Sequence, residues 1–182
     1  RTDGQAGYDS TNSATKIQSA AEDGASSIYY DLPADADGVR TFSIFVKDSD
    51  AGGVSLIVHN NGSQIAAAKF NLTTSDLSAA KLSGTGSAFI GYDIVNAGND
   101  WRRVSVTVEG IFDRLFVTLA DSSGLGGVTN DVGIFVQHAQ LELGLVATPY
   151  MASTAYVTGK ADILEDEPRF DYLHQVQGES SC

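Results

Sequence analysis

Cysteine, methionine, tryptophan and proline are all scarce in this chain, with one Cys, one Met, one Trp and three Pro in 182 residues. The single cysteine is Cys182, so no disulfide can close within the chain and the fold must rest on packing and strand pairing. The lack of Cys and His pairs also speaks against a soft-metal site. Positive charge is scarce too: 11 Lys and Arg stand against 23 Asp and Glu, a net charge of −12. Phosphate backbones and anionic membranes are held by a surplus of Lys and Arg, so no nucleic-acid or membrane partner is expected. No stretch approaches the roughly 20 apolar residues of a membrane-spanning helix, and no charged-then-apolar signal segment opens the chain. The chain starts at Arg1 rather than at a methionine, which is expected of a trimmed chain or a piece of a longer one. The His-Glu-Xaa-Xaa-His and Gly-Xaa-Ser-Xaa-Gly motifs are absent as well.

What is present is glycine, together with much Ser, Thr, Ala and Val. That mixture suits short strands joined by turns. The length fits one large domain, or a domain and a tail, and a domain of about 150 residues hides roughly 70% of its extended-chain surface. Period-two alternation runs nearly throughout. In 41–47, Phe42, Ile44 and Val46 share one face while Thr41, Ser43, Phe45 and Lys47 share the other. In 102–108, Val104, Val106 and Val108 align, and Arg103, Ser105 and Thr107 point the opposite way. Further strands are expected at 15–19, 26–32, 54–59, 65–72, 88–92, 115–121 and 134–142. Turn chemistry separates them at 50–53, 60–62, 98–100 and 122–124, and Asn61-Gly62 is the strongest hairpin signal. One helical turn is expected over 75–81, capped by Ser75. About nine short strands predict an all-β fold, an antiparallel two-sheet sandwich.

The pattern changes near Tyr156. The sandwich is expected to span 1–157, and 158–182 to form an acidic, extended C-terminal tail or linker carrying Asp162, Glu165, Asp166, Glu167, Asp171 and Glu179. Two readings of that tail stay open: a solvated segment, or an arm that packs on a neighbouring domain or subunit.

Several segments stand out as an ordered set. They are Phe70-Asn71-Leu72-Thr73-Thr74, Asn99-Asp100-Trp101-Arg102-Arg103-Val104-Ser105-Val106-Thr107, and Gly133 to Val136. The set continues with Ala139-Gln140-Leu141-Glu142-Leu143-Gly144, Ala147-Thr148-Pro149-Tyr150-Met151, Lys160-Ala161-Asp162-Ile163 and Glu167-Pro168-Arg169-Phe170-Asp171-Tyr172. They fall in order over a little more than half of the chain, and together they resemble jelly-roll modules of bacteriophage tail-fibre and related virion proteins. Arg102 stands where the family has Tyr, and Gln137-His138 where it often has Trp-Gly. The resemblance implies a jelly roll related in fold to carbohydrate-binding modules. It further implies a virion, extracellular setting and a module cut from, or part of, a longer fibre or spike.

Trp101 is the only tryptophan, and alternation places it with Arg103, Ser105 and Thr107 on the polar face. An aromatic ring there can stack on the C–H face of a pyranose while polar neighbours bond its hydroxyls. Tyr29 and Phe45 also fall on the polar phase of their strands, with Asp31 beside Tyr29. Trp101, Arg103, Tyr29 and Phe45 are therefore the expected ligand-binding set. The alternative is that Trp101 packs under a loop at a strand start, since Trp is mostly buried.

No catalytic residue is expected. His59, His138 and His174 lie in no nucleophile motif, His138 reads as a core or interface residue, and no two carboxylates are brought together as a glycosidase requires. The chain is read as not an enzyme, with no cofactor. Structural calcium is the one ion the fold resemblance allows, and Asp48-Ser49-Asp50, Asn130-Asp131 and Glu142 are oxygen-rich but lack a dedicated loop's spacing, so no metal ligand is assigned. Asn61-Gly62-Ser63 and Asn71-Leu72-Thr73 are formal glycosylation sequons, relevant only in a eukaryotic secretory setting.

Two functions of different class follow. The first is a non-catalytic, carbohydrate-binding-like module for attachment to a host-surface glycan. The second is a structural spacer or decoration domain that packs on other virion proteins or on copies of itself, a trimer among them. Arg169, Phe170 and Tyr172 are the expected interface anchors of the second reading.

Overall fold

Alternating strands can hide their apolar sides by stacking two sheets face to face, and that is the arrangement found. The computed structural model describes residues 1–19, 26–82, 88–120 and 131–151. The described residues form eleven strands: β1 (Thr2–Gln5), β2 (Ala14–Gln18), β3 (Ser27–Ala36), β4 (Val39–Asp48), β5 (Gly53–Asn60), β6 (Ser63–Asn71), β7 (Asp76–Leu82), β8 (Ala88–Gly98), β9 (Trp101–Glu109), β10 (Phe112–Ala120) and β11 (Gly133–Leu143). A six-stranded sheet has the order β1-β2-β11-β4-β9-β8, and a five-stranded sheet the order β3-β10-β5-β6-β7. All pairings are antiparallel. The chain swaps sheets from β2 to β5 and again from β9 to β11, so the fold is an antiparallel two-sheet jelly-roll sandwich.

The inner faces follow the alternation. Phe42, Ile44 and Val46 of β4 join Val104, Val106 and Val108 of β9 and Ile134 and Val136 of β11. They face Val54, Leu56 and Val58 of β5, Ala68 and Phe70 of β6, and Leu115, Val117 and Leu119 of β10. Each large side chain hidden here stabilises by roughly 1.5–3 kcal/mol, which replaces what disulfides supply elsewhere. The hairpin at Asn61-Gly62 has φ of 49° and 77°, the positive pair that a two-residue turn matching strand twist requires. Asp113 Oδ2 accepts the Asn61 N–H at 2.9 Å and ties this turn to the start of β10.

Three expectations change. Residues 75–81 form no helical turn: Ser75 has φ 58°, outside the extended region that an N-cap occupies, and Asp76–Leu82 pairs with β6 as β7. The strand expected at 88–92 continues to Gly98. A short strand at Thr2–Gln5 was not legible, because its side chains are mostly exposed and carry no alternation. The tail 158–182, with Arg169, Phe170 and Tyr172, lies outside the described residues, as do Asn130 and the turn at 122–124.

Candidate functional site

The four residues expected to share one ligand face divide between the two sheets. Phe45, Trp101 and Arg103 lie on the outer face of the six-stranded sheet, and Tyr29 lies on the outer face of the five-stranded sheet. Alternation gives the side of a strand on which a residue falls, but not the sheet to which the strand belongs.

On the six-stranded sheet the polar face is covered. Trp101 is 2% exposed and packs with Ala14 and Phe45 in a second, smaller apolar cluster joined by Phe135, Ala97 and Tyr150. Tyr8 stacks on Phe45 with ring centres 4.2 Å apart. The loop carrying Tyr8 is held by Gln137, whose Oε1 accepts the Tyr8 N–H at 2.6 Å and whose Nε2 donates to Asp9 Oδ1 at 2.8 Å and to Ser13 Oγ at 2.5 Å. A side chain at Gly7 would displace the Gln137 amide from these bonds. The Thr11 hydroxyl, and after it Gln137, hold the Asp9 carboxyl well below the usual carboxylate range. Asp9 Oδ2 also meets His138 Nε2 at 2.9 Å, and the His138 ring stacks on Tyr150 at 3.9 Å.

Residues 144–151 cross the same face as a strap, seated on Glu142. Glu142 is 1% exposed, and its carboxylate accepts the Thr148 N–H at 3.1 and 3.3 Å and the Thr148 hydroxyl. Arg103 Nη2 donates to Ser43 Oγ at 2.9 Å and lies 3.9 Å from Glu142, while Nη1 donates to the Thr148 carbonyl. Burial pushes the Arg103 guanidinium below its ordinary value, and the Glu142 charge opposes that shift. The Thr41 and Thr107 hydroxyls, 2.8 Å apart, reach the carbonyls of Gly144 and Leu145. Glu142 faces this network because of a bulge: register shifts between Gln137 and Gln140, and His138 takes φ 55°. The phase signal was in the sequence, where Ile134 and Val136 are followed by Leu141 and Leu143, an odd step along one strand.

Among the described residues nothing covers the outer face of the five-stranded sheet around Tyr29. Register aligns Tyr29, Phe116 and Ile57 in one row across β3, β10 and β5, and Asp31, Arg114 and His59 in the next. Tyr29 is 60% exposed. The Phe116 ring lies 5.5 Å from that of Tyr29 and 4.5 Å from that of His59. The Arg114 guanidinium sits 4.7 Å from the Tyr29 ring centre and pairs with Asp31. An apolar ring row thus runs beside a row of hydrogen-bonding groups. Phe116, Arg114 and His59 were not assigned to this site from the sequence, because only strand pairing brings them beside Tyr29.

Burial, followed by the nearby Arg114 charge, pushes the His59 imidazole below its ordinary 6.5, against the pull of Asp113. As the pH falls below 6.5 the unfolded chain therefore holds more protons than the folded one, and stability falls. This contribution is whole above 6.5 and is lost as the pH drops through the lower folded value. Urea midpoints are expected to decline from pH 7 to pH 5, and to decline less in His59→Gln. An equal decline in the variant would assign the effect to other groups.

Among the described residues no three His, Cys, Asp or Glu side chains converge as a metal set would. Asp48 Oδ1 accepts the Gly52 N–H and closes a turn, while Asp50 Oδ1 accepts the Gly133 N–H and ties that turn to the start of β11. No protein-family model matches the chain, and no curated protein matches it.

Proposed function

We propose that this protein is a non-catalytic saccharide-binding module whose primary platform is the open face built on Tyr29, Phe116, Arg114, Asp31 and His59. The observation that carries the reading is the pair of adjacent rows: the exposed Tyr29 ring and the half-buried Phe116 ring beside groups able to bond hydroxyls. A pyranose has the same two-sided chemistry, with an axial C–H face that suits Tyr29 and Phe116 and an equatorial hydroxyl rim that suits Asp31 and Arg114. The segmental resemblance to phage fibre modules supports a setting in host-surface attachment, extracellular and on a virion.

Tyr29→Ala leaves the core untouched and is expected to weaken glycan binding at least about tenfold, a change of about 1.4 kcal/mol. Phe116→Ala is expected to act in the same direction. The measurement is a host-surface glycan array followed by titration calorimetry on the hits. No binding to any glycan, or hits indifferent to both substitutions, would reject the platform.

Tyr29 stacked on Arg114 also favours a second reading, because Tyr and Arg are the residue types that anchor protein interfaces. In that reading the same face docks on a neighbouring virion subunit. Light scattering separates the two: self-association abolished by Tyr29→Ala, with no glycan bound, supports the structural role.

A further inference from the structure

The strap does not cover the whole outer face of the six-stranded sheet. Between residues 145–147 and β8 it leaves a groove of about 420 Å³, within the size range of small-ligand sites. Register builds its floor: Gly91 lies opposite Thr107, and Asp93 opposite Ser105, so these four share one side of the β8–β9 pair. Leu145 and Val146, both more than half exposed, form the wall.

The floor has free hydrogen-bonding capacity. Asp93 Oδ1 accepts the Ile94 N–H at 2.8 Å, and Oδ2 has no partner among the described residues. Ser105 Oγ makes no hydrogen bond among the described residues. Thr107 is committed to the strap through Leu145. A side chain at Gly91 would meet nothing within 4 Å, so the absence of one there keeps the floor open. Among the described residues Asp93 is the one charged side chain lining the groove, and no Lys or Arg lines it. Anionic ligands are therefore repelled, and a solute with hydroxyls on one edge and C–H on its face is matched.

We propose that this groove is a second saccharide subsite that holds one uncharged pyranose, with its hydroxyls on Asp93 and Ser105 and its C–H face against Leu145 and Val146. The inference rests on the reading that the module binds saccharides, and it adds a site on the opposite sheet. Two such sites let one domain engage two sugars of a branched or multivalent surface.

The test is an amide-resolved NMR titration of the whole chain with methyl glucoside, methyl galactoside, methyl mannoside and methyl N-acetylglucosaminide, with glucuronate as the charged control. At least one neutral glycoside is expected to shift the resonances of Gly91, Asp93, Ser105 and Val146. Gly91→Leu fills the groove at an ordinary backbone conformation and is expected to weaken those shifts at least tenfold. Asp93→Asn, which keeps the shape, is expected to weaken them several-fold. Tyr29→Ala is expected to leave them unchanged. Shifts confined to Tyr29 and Phe116 would overturn the groove and leave the primary platform standing. Shifts confined to the groove would overturn the platform instead. Groove binding as strong in both groove variants as in the parent, or as strong with glucuronate, would overturn the assignment of a neutral pyranose.

Discussion

Glu142→Ala is expected to lower stability by about 3–5 kcal/mol, the range for removing one partner of a buried ion pair. The carboxylate is 1% exposed and is the shared partner of the Thr148 N–H, the Thr148 hydroxyl and the Arg103 guanidinium. Without it Arg103 stays under the strap with no opposite charge, and Thr148 loses its anchor. The effect should be local as well as global, so amide protons around Thr148 should exchange faster than those of β9. Glu142→Gln keeps an acceptor for Thr148 and should cost less than half as much. Exchanging Arg103 and Glu142 together for Met and Leu should cost less than Glu142→Ala alone, because no charge is then stranded. Urea unfolding measures all three. A loss below about 1 kcal/mol for Glu142→Ala would mean that water reaches the network and screens it.

Trp101→Ala is expected to cost about 3–5 kcal/mol, the usual range for emptying a buried large aromatic site. Its ring closes the small cluster with Ala14 and Phe45, and sequence alternation alone would have made it a sugar platform. The two roles predict opposite results. If Trp101 packs, the variant unfolds earlier but its folded fraction binds glycan as the parent does. If Trp101 touches ligand, binding falls and stability holds. Calorimetric titration at a temperature where both proteins are folded, paired with a thermal melt, decides between them. The comparison with Tyr29→Ala is the internal control, since that substitution should do the reverse.

The inner layer was legible because period two is a property of a single strand. Phe42, Ile44 and Val46, and likewise Val104, Val106 and Val108, all turn inward as their spacing requires. The outer layer was not legible, because what covers a face depends on partners far away in sequence. Gln137 and Tyr8 are 129 positions apart, and Arg103 and Thr148 are 45 apart. The polar phase of β9 held three different fates: Trp101 packed, Arg103 tied to the strap, and Ser105 left at an open groove. Tyr29 was singled out, but its neighbours were not, since pairing of β3 with β10 sets them beside it. The expected helix at 75–81 failed for a related reason: ladder bonds to β6 outweigh a weak local signal.

The position of β11 has a consequence for how the protein is made. This late strand inserts between β2 and β4, two of the early ones, and pairs with both. A chain emerging from the ribosome has to keep β4 waiting, one edge bare, until residue 143 has been synthesised. Topologies that depend on such distant pairing fold slowly and are exposed to aggregation in the interval. The acidic surplus then has a use before any ligand is met, because like-charged nascent chains repel one another while their sheets are incomplete.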